Sequence, residues 1–469
     1  MNKRFLNRER ELAFLNTQYN KNSSSLVIIY GRRRIGKTAL IKNFIKNKPA
    51  LYFLAAEEME TQNISALKNL MLEFTGNPLL GKDFNFTWDD LFEVFKDFNK
   101  NERKILVIDE FQYLGKINKS FPSIFQRIWD NLLENENIMV ILCGSLVTMM
   151  ESQTLNYSSP LYGRRTGQIK MKQIKFTDYS DFFEDKSEEE LIEFYAVTGG
   201  VPKYIEVFQS ADNIFAAIEK NVLNRQGFLY EEPIFLLERE VGEISSYFSI
   251  IRAIARGNHK LSKIATVLGV SQTNLTRYLK TLVDLDLIER RVPVTESDPS
   301  KSKQGLYYII DNYIEFWFGF IYPYRGYIEM DDTAFVMDKI KQNFIDNHVS
   351  FVFENVCLQK LWQLNKQNEL PFKFTRIGKW WDKNTEIDIV GLNEDTKEII
   401  LGECKYTIEK VDVNLFYQLV QKAREVPWNK NHRKEYYILF SKSGFTLELL
   451  NLAKERKDLN LGSLRSQRE

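Results

Sequence analysis

The stretch SLVIIYGRRRIGKTALIKNFI, residues 25–45, decides the fold of the N-terminal part of this chain. A run of aliphatic residues stops at Gly31, and a helix-like run begins after Thr38. The residues between them fit the pattern G-x-x-x-x-G-K-[ST] at every fixed position, in the strand-to-helix context that this pattern requires. The sequence therefore predicts a phosphate-binding loop that joins a buried strand to a helix.

This loop would bring backbone amides to the phosphates. Its glycines allow a sharp turn that lets N–H groups meet phosphate oxygens, and the positive end of the following helix faces the same anion. Lys37 would reach the β- and γ-phosphates, and the hydroxyl of Thr38 would bind Mg²⁺. The side chains of the three arginines would point away from the nucleotide, toward solvent, acidic neighbours or DNA. The predicted nucleotide-binding residues of the loop are Gly31, Arg32, Arg33, Arg34, Ile35, Gly36, Lys37, Thr38 and Ala39.

An acidic pair after a second buried strand belongs to the same predicted site. The run ILVIDE, residues 105–110, ends in Asp109 and Glu110. Because the end of a central parallel strand lies at the carboxyl edge of its sheet, Asp109 is expected beside the loop. Asp109 would hold Mg²⁺ directly or through water, and Glu110 would orient or deprotonate the attacking water. These motifs predict a site for ATP or GTP.

Four short runs predict the sheet that carries this site. Each run is mostly apolar on both faces, which is typical of parallel strands covered by helices on both sides. The runs are SLVIIY (residues 25–30), ALYFLAA (50–56), KILVIDE (104–110) and IMVILCGS (138–145). The sequence thus predicts an α/β fold with a parallel sheet.

The composition of the chain limits the other classes of function. The 469 residues are 44% hydrophobic and 27% charged, and a net charge of +1 gives no strong overall attraction to nucleic acid. Three widely spaced cysteines argue against a disulfide framework or a zinc site and favour a reducing compartment. No run approaches about 18 uncharged apolar residues, and the N-terminus lacks an apolar signal segment. We therefore expect a cytoplasmic protein without membrane contact.

Four further stretches, together with the two nucleotide motifs, resemble the archaeal-type ATPase family, a branch of P-loop ATPases close to the AAA+ and STAND groups. The resemblance implies that Asn7 and Arg8 lie near the adenine or ribose of bound ATP. It also implies that Ser145 occupies the polar position of a sensor strand, where related proteins often carry asparagine. The four stretches are FLNRERELAFL (residues 5–15), CGSLVTMM (143–150), SPLYGRRTGQI (159–169) and GGVPKYI (199–205).

The same resemblance singles out two arginines as catalytic candidates. Arg164 and Arg165 would sense the charge of the γ-phosphate, either within one chain or from a neighbouring subunit of a homo-oligomer. An arginine in that position is worth about 10³–10⁵ in rate. The alternative interpretation is a salt bridge within the ATPase core.

The segment KLSKIATVLGVSQTNLTRYLKTLVDLDLIERR, residues 260–291, has the pattern of a helix-turn-helix. GVS forms the turn, Ser271 would cap the second helix, and a polar loop between two later strand-like runs would form a wing. From residue 251 to 291 there are eight Lys or Arg and three Asp or Glu, a local excess suited to phosphates. A spacer or protein-contact role stays open. The residues expected to face DNA are Gln272, Thr273, Asn274, Arg277 and Lys280.

The segment TEIDIVGLNEDTKEIILGECKY, residues 385–406, predicts two strands joined by a turn. Side chains alternate along a strand, so Glu403 and Lys405 share a face, where Asp388 of the adjoining strand can meet them. Asp388 and Glu403 could bind Mg²⁺ while Lys405 activates water or steadies the phosphorane, which is a plausible site for phosphodiester hydrolysis. Glu354 could supply a third carboxylate, and Gln418 could line the same groove.

This last segment resembles the restriction-endonuclease-like PD-(D/E)XK superfamily, in the form fused to archaeal-type ATPases. The proline of the motif name is absent, because Glu386 and Ile387 precede the aspartate. A salt-bridged hairpin, or a nuclease fold without activity, is the alternative.

The overall prediction is a P-loop parallel-sheet ATPase domain, a helical lid and winged helix, and a C-terminal α/β restriction-endonuclease-like domain. The expected function is Mg²⁺-dependent ATP hydrolysis coupled to DNA binding through the last two parts, with DNA cleavage left open. The alternative is a STAND-like switch or scaffold whose nuclease-like domain is inactive. The predicted segments are the ATPase core (1–170), lid (171–240), winged helix (241–315), aromatic connector (316–345) and nuclease-like domain (346–469).

Overall fold

The computed structural model describes residues 5–241 and 243–462. Within them the chain forms two compact units. The first unit comprises residues 5–173, 201–203 and 238–241, and the second comprises residues 174–200, 204–237 and 243–462.

The first unit is built on a sheet of five parallel strands in the order β2–β3–β4–β1–β5. Every residue of β1, β3 and β4 is buried, as strands between two helical layers should be. The register places Ile141 beside both Val27 and Val107, so the ends of the central strands meet at one edge. The strands are β1 (Ser25–Tyr30), β2 (Ala50–Leu54), β3 (Lys104–Asp109), β4 (Ile138–Gly144) and β5 (Gly167–Lys170). The first four match the predicted runs, and β5 was not predicted.

Residues 5–173 form seven α-helices besides the sheet, and local sequence fixes the start of the fourth. At the start of the fourth helix the Thr87 hydroxyl accepts the N–H of Asp90, and the Asp90 carboxylate accepts the N–H of Thr87 at 2.8 Å. Such a reciprocal cap satisfies N–H groups that a helix start leaves without partners. The helices are α1 (Glu9–Tyr19), α2 (Lys37–Ile45), α3 (Glu60–Thr75), α4 (Trp88–Asp97), α5 (Gln112–Ile117), α6 (Phe121–Ile128) and α7 (Val147–Met150).

The chain between residues 174 and 241 is helical, and its assignment as a lid stays a prediction. Ser187 and Glu190 cap the first of these helices in the same reciprocal way. The helices are α8 (Glu188–Thr198), α9 (Pro202–Phe208), α10 (Ile214–Ile218) and α11 (Glu232–Glu240).

Three helices and a two-stranded antiparallel hairpin form the winged helix. The Ser271 hydroxyl accepts the N–H of Asn274 at 3.3 Å, so the predicted cap is present. Leu275 and Leu279 of the second helix of the motif are buried. Tyr278 of the same helix is only half-buried and packs its ring against Tyr247. The elements are α12 (Ile244–Ala255), α13 (Leu261–Leu268), α14 (Gln272–Asp284), β6 (Ile288–Arg291) and β7 (Leu306–Ile309).

The aromatic connector packs as a helical core. Trp317 is fully buried, and its indole N–H donates to the carbonyl of Tyr230 at 2.7 Å. Its helices are α15 (Asn312–Phe316), α16 (Arg325–Glu329) and α17 (Thr333–Phe344), which a helical turn (Ile345–Val349) joins to the long helix α18 (Ser350–Gln367).

The C-terminal part is a five-stranded mixed sheet in the order β12–β11–β10–β9–β8. Strands β8, β9 and β10 pair antiparallel, whereas β11 and β12 add parallel to β10 and to each other. Strands β8 and β12 were not predicted. The elements are β8 (Arg376–Trp381), β9 (Glu386–Asn393), β10 (Glu398–Lys405), α19 (Val413–Ala423), β11 (Lys434–Ser441), α20 (Leu447–Glu455) and β12 (Leu459–Gly462).

The length and hydropathy of the helices can be compared with those of membrane-spanning helices. In the part of the chain that the structure describes, no helix has the length and apolar content needed to cross a bilayer.

Candidate functional site

The loop between β1 and α2 has the backbone geometry of an anion-binding turn. Gly31 has a φ of 144°, and a Cβ built there would lie 2.6 Å from the carbonyl oxygen of Met171, so only glycine fits. Gly36, with a φ of 95°, directs the chain into α2, which begins at Lys37. The first N–H groups of α2 are therefore available at the loop, where they favour an anion.

Lys37 is buried and lies across the loop that it belongs to. Its Nζ donates to the carbonyl oxygens of Gly31 at 2.6 Å and Arg32 at 2.8 Å. Burial lowers the pKa of Lys37, while the charges of Asp109, Glu110 and Glu240 act in the opposite direction. A buried cation of this kind favours the binding of an anion such as a phosphate.

The residues predicted to hold Mg²⁺ lie together at the carboxyl edge of the sheet. The Thr38 hydroxyl donates to the Asp109 carboxylate at 3.2 Å, and the hydroxyl of Tyr52 on β2 donates to the same carboxylate oxygen. A hydroxyl and a carboxylate are the hard oxygen ligands that Mg²⁺ prefers, and nucleotide phosphates supply others. Thr38 and Asp109 therefore fit the ion, and Tyr52 is a contact that the sequence motifs did not reveal.

Glu110 is held by the predicted sensor residue, Ser145, which directly follows β4. The Ser145 hydroxyl lies 2.7 Å and 3.0 Å from the two carboxylate oxygens of Glu110, and the Ser145 N–H donates to the carboxylate at 3.2 Å. The side-chain amide of Gln112 also donates to it. The carboxylate of Glu110 is thus fixed by Ser145, which directly follows β4, and by Gln112 of α5.

Arg8 ties α1 to the loop. Its guanidinium donates to the carbonyl oxygens of Ile35 at 3.2 Å and Lys172 at 2.7 Å, and it pairs with Glu11 at 3.1 Å. The nearness of Asn7 and Arg8 to the base or ribose of a nucleotide stays a prediction.

The loop arginines have protein surroundings. Arg33 donates to the hydroxyl of Tyr113 at 3.0 Å, and Arg32 is buried. Arg34 has a φ of 68°, so its backbone takes part in the turn. Arg33 therefore joins the loop to α5.

The two candidate catalytic arginines differ in their contacts. Arg164 forms a forked ion pair with Asp130, in which Nε and Nη2 lie 3.0 Å and 2.9 Å from the carboxylate oxygens. This is the salt bridge within the core that the sequence left open as an alternative. Arg165 is half-buried, with its guanidinium 5.8 Å from the centre of the Tyr162 ring.

Glu240, at the end of α11, is a residue of this site that sequence reasoning missed. It belongs to the first unit, where its carboxylate lies near Arg32 and Lys37 and accepts a hydrogen bond from the backbone of Val147. Burial raises the pKa of Glu240 to about 7, against the charges of the nearby cations. The sequence separates Glu240 from the loop by some 200 residues, and no motif marks it.

The predicted DNA-facing side chains of the winged helix lie on its surface. All five are exposed on α14, whereas Leu275 and Leu279 of the same helix are buried: Gln272, Thr273, Asn274, Arg277 and Lys280.

The structure also brings together the C-terminal residues predicted for phosphodiester hydrolysis. The Glu403 carboxylate lies 3.6 Å from Lys405 Nζ, and the Asp388 carboxylate accepts the N–H of Cys404 at 3.0 Å. Glu354 is nearby on α18 and pairs with Lys379, while Gln418 is exposed on α19. Across residues 5–241 and 243–462, no three His, Cys, Asp or Glu side chains are grouped so as to hold a metal ion. The binding of Mg²⁺ by Asp388 and Glu403 stays a prediction.

Together, the parallel sheet, the loop and the acidic strand end define the N-terminal part as an ATP-binding P-loop ATPase domain. Residues 5–208 match the family described as an ATPase domain predominantly from Archaea. A solved Walker-type ATPase of Pyrococcus abyssi has the same fold over 67% of this chain and 96% of its own, with a TM-score of 0.52 and 22% identity.

The whole chain has a relative in Methanocaldococcus jannaschii, an uncharacterized protein. The two are 37% identical over 439 residues, which cover 93% of this chain and 96% of the relative. The chain belongs to the same family as that protein. An uncharacterized ATP-binding protein of the same organism is 57% identical over 44 residues, 9% of this chain and 75% of its own length.

Two further families match later parts of the chain. Residues 247–294 match the MarR family, in agreement with the winged helix. Residues 317–415 match a family described as archaeal and bacterial proteins of unknown function.

Proposed function

We propose that this protein hydrolyses Mg-ATP at the loop between β1 and α2 and that the reaction is coupled to binding of duplex DNA by the winged helix. The observation that carries the proposal is the arrangement at one edge of the sheet. There Thr38 contacts Asp109, and Glu110 is fixed by Ser145 beside them. An ion site and a carboxylate base side by side suit the transfer of a phosphoryl group to water.

The residues of the loop and of the sheet edge that form the site have distinct roles in this proposal. The amides of the loop and of α2 bind the phosphates, and Lys37 exchanges its two carbonyl contacts for phosphate oxygens. Thr38 and Asp109 would hold the magnesium ion, which neutralises charge that develops on the phosphates. Glu110 orients the attacking water and accepts its proton.

The support for DNA binding comes from charge and exposure. Arg277 and Lys280 are exposed on α14, beside polar side chains of the kind that read base edges. Residues 251–291 carry a local positive excess in a chain whose net charge is only +1. DNA binding would thus depend on this local surface.

The test is ATP turnover with and without duplex DNA. We expect K37A to lose nucleotide binding, E110Q to bind ATP but lose turnover, and R277A to keep basal turnover but lose its stimulation by DNA. K434A, which changes an exposed lysine on β11, is the matched control for R277A. If duplex DNA stimulates ATP turnover equally in R277A and K434A, the proposed coupling is contradicted. Undiminished turnover in E110Q would contradict the role of Glu110.

A second candidate function is a nucleotide-controlled switch with slow hydrolysis. The contacts of Lys37 with its own loop favour it, because they must be exchanged for phosphate contacts when a nucleotide binds. A switch predicts that a non-hydrolysable ATP analogue changes the oligomeric mass in solution while turnover stays slow. Mass photometry together with a turnover assay separates the two functions.

A further inference from the structure

Lys379 lies among the carboxylates of the C-terminal domain. Its Nζ pairs with Glu354 of α18 and, at 3.3 Å, with Glu386 at the start of β9. The side chain of Lys379 is 8% exposed and that of Glu354 is 15% exposed. Burial lowers the pKa of Lys379, but the charges of Glu354, Glu386 and Asp388 outweigh burial and raise it above its ordinary value. Lys379 is thus buried in a cluster with two carboxylates.

The remaining carboxylates of this site have partners of their own. Glu403, whose side chain is 3% exposed, pairs with Lys422 of α19 at 2.7 Å and with Lys405 at 3.6 Å. Asp388 accepts the N–H of Cys404. The positions at which a nuclease would hold a divalent cation are thus supplied with ammonium and N–H groups from the chain itself.

A divalent cation would have to displace these groups to bind. Displacing Lys379 leaves a buried ammonium group without its partners, which is unfavourable. Mg²⁺ is itself reluctant to lose water and needs several oxygen ligands in octahedral geometry. The internal lysine is therefore favoured over a metal ion.

The same domain forms one wall of a groove next to the winged helix. The groove has a volume of about 1200 Å³ and lies between the wing and the turn from β8 to β9. Its two walls touch, since the N–H of Val294 donates to the carbonyl of Lys379 at 2.9 Å. Three exposed lysines and three aromatic side chains line it: Lys260, Lys303, Lys383, Tyr307, Tyr308 and Trp381.

The charges of this groove favour a polyanion. The two acidic side chains that line the groove already have partners within the protein. Asp382 accepts N–H groups of its own turn, and Glu386 pairs with Lys379. Lys260, Lys303 and Lys383 make no ion pair with any residue that the structure describes. Unpaired lysines along a groove are suited to the phosphates of a nucleic acid backbone.

We propose that the C-terminal domain binds duplex DNA without a divalent cation and without cutting it: Lys379 takes the place of the metal, and the β8–β9 turn holds the backbone against the winged helix. The choice of duplex DNA as the ligand rests on the proposed function. The replacement of the metal by Lys379 is independent of the proposed function.

The metal part is tested by titrating Mn²⁺ into the nucleotide-free protein and measuring free Mn²⁺ by electron paramagnetic resonance. We expect the wild type and D388N to bind the same amount. K379M, which removes the internal cation, should gain Mn²⁺ binding that K379M/D388N lacks. Greater binding by the wild type than by D388N, or cleavage of a duplex in Mn²⁺ that D388N abolishes, would overturn the proposal. That comparison does not depend on whether K379M folds.

The DNA part is tested by fluorescence anisotropy with a labelled duplex over a range of salt concentrations. We expect equal affinity in EDTA and in Mg²⁺, and a slope of log affinity against log salt that is smaller by about 0.9 in K383A. K434A should leave the slope unchanged. Loss of binding in EDTA, or equal slopes for K383A and K434A, contradicts the inference. A wild type that binds no duplex at all instead refutes the proposed coupling to DNA, and the Mn²⁺ result still decides the role of Lys379.

Discussion

Glu110 lies where β3 leaves the sheet, and its backbone has a φ of 55°. That conformation is unfavourable for a residue with a side chain, so surrounding contacts must hold it. The bonds from Ser145 and Gln112 do so, and they orient the carboxylate beside Asp109. Ser145 is thus a positioning residue for the proposed base.

The role of Ser145 predicts a specific kinetic change. We expect S145A to lower kcat for ATP by about tenfold to a hundredfold with little change in KM, because a hydrogen bond to a charged group contributes about 1.5–3 kcal/mol. S152A, which changes an exposed serine after α7, is the control and should leave both constants unchanged. Steady-state kinetics decide the point, and a change in KM alone would contradict a positioning role.

Glu240 brings a carboxylate to a site made for phosphates. Burial holds its pKa at about 7, so the group is neutral below that pH and charged above it. A negative charge beside Arg32 and Lys37 opposes a triphosphate. We therefore expect ATP affinity to fall as pH rises from 7 to 8.5, and E240Q to bind ATP roughly tenfold more tightly at pH 8.5.

Calorimetry of ATP-analogue binding at several pH values measures this effect. Subtracting the E240Q curve removes the titration of the nucleotide itself. E238Q, which changes an exposed residue of α11, should follow the wild type. Parallel curves for the wild type and E240Q would exclude Glu240 from the site.

At the scale of elements, the sequence predicts the strands that are buried on both faces, because such strands consist almost entirely of apolar residues. The strands β1, β3 and β4 are continuous apolar runs, and the motif residues at their ends follow from strand order. The strand β5 is not visible, because of its four residues only Ile169 is buried and its place depends on pairing with β1. Hydrophobic periodicity records burial, whereas edge strands depend on contacts made elsewhere in the chain.

The candidate sites show the same division. Lys37, Thr38 and Asp109 follow from spacing within motifs. Glu240 and Lys379 do not, because each acquires its role from residues distant in sequence and no motif marks either of them. Ion pairs that form only in the folded chain leave no local pattern.

The helical turn before α18 contains a buried titratable group. The His348 ring lies among Phe316, Phe320 and Phe344, and Nε2 is 2.7 Å from the carbonyl oxygen of Ala196. Burial lowers the pKa of His348 to about 4. In the unfolded chain this histidine has a pKa near 6.5. Between about pH 6.5 and 4, His348 is therefore protonated in the unfolded chain and neutral in the folded chain.

This difference predicts a loss of stability in acid. The free energy of unfolding should fall by up to about 3 kcal/mol as pH drops through that window. H348Q keeps a donor for the Ala196 carbonyl but does not titrate, so its stability should depend less on pH by the same amount. Urea unfolding at pH 7, 6 and 5 gives both slopes, and equal slopes would mean that another group governs acid stability.

At the scale of the whole molecule, the two arginines after the sensor strand raise the question of subunit contacts. Arg164 forms an ion pair with Asp130. Arg165 is therefore the better candidate for reaching a nucleotide on a neighbouring chain. An arginine supplied by a neighbour changes turnover by about 10³–10⁵. Hydrolysis would then require an assembly, in agreement with the predicted homo-oligomer.

A mixing experiment tests this arrangement. We expect R165A and E110Q each to be inactive alone and to recover turnover when mixed, because a site with Glu110 from the first variant can receive Arg165 from the second. R164A should instead lose stability, since it leaves Asp130 without its ion pair, and its defect should not be relieved by mixing. ATP turnover against the mixing ratio, with oligomer mass measured in parallel, gives the result. If R165A and E110Q form mixed assemblies that stay inactive, Arg165 does not act between subunits.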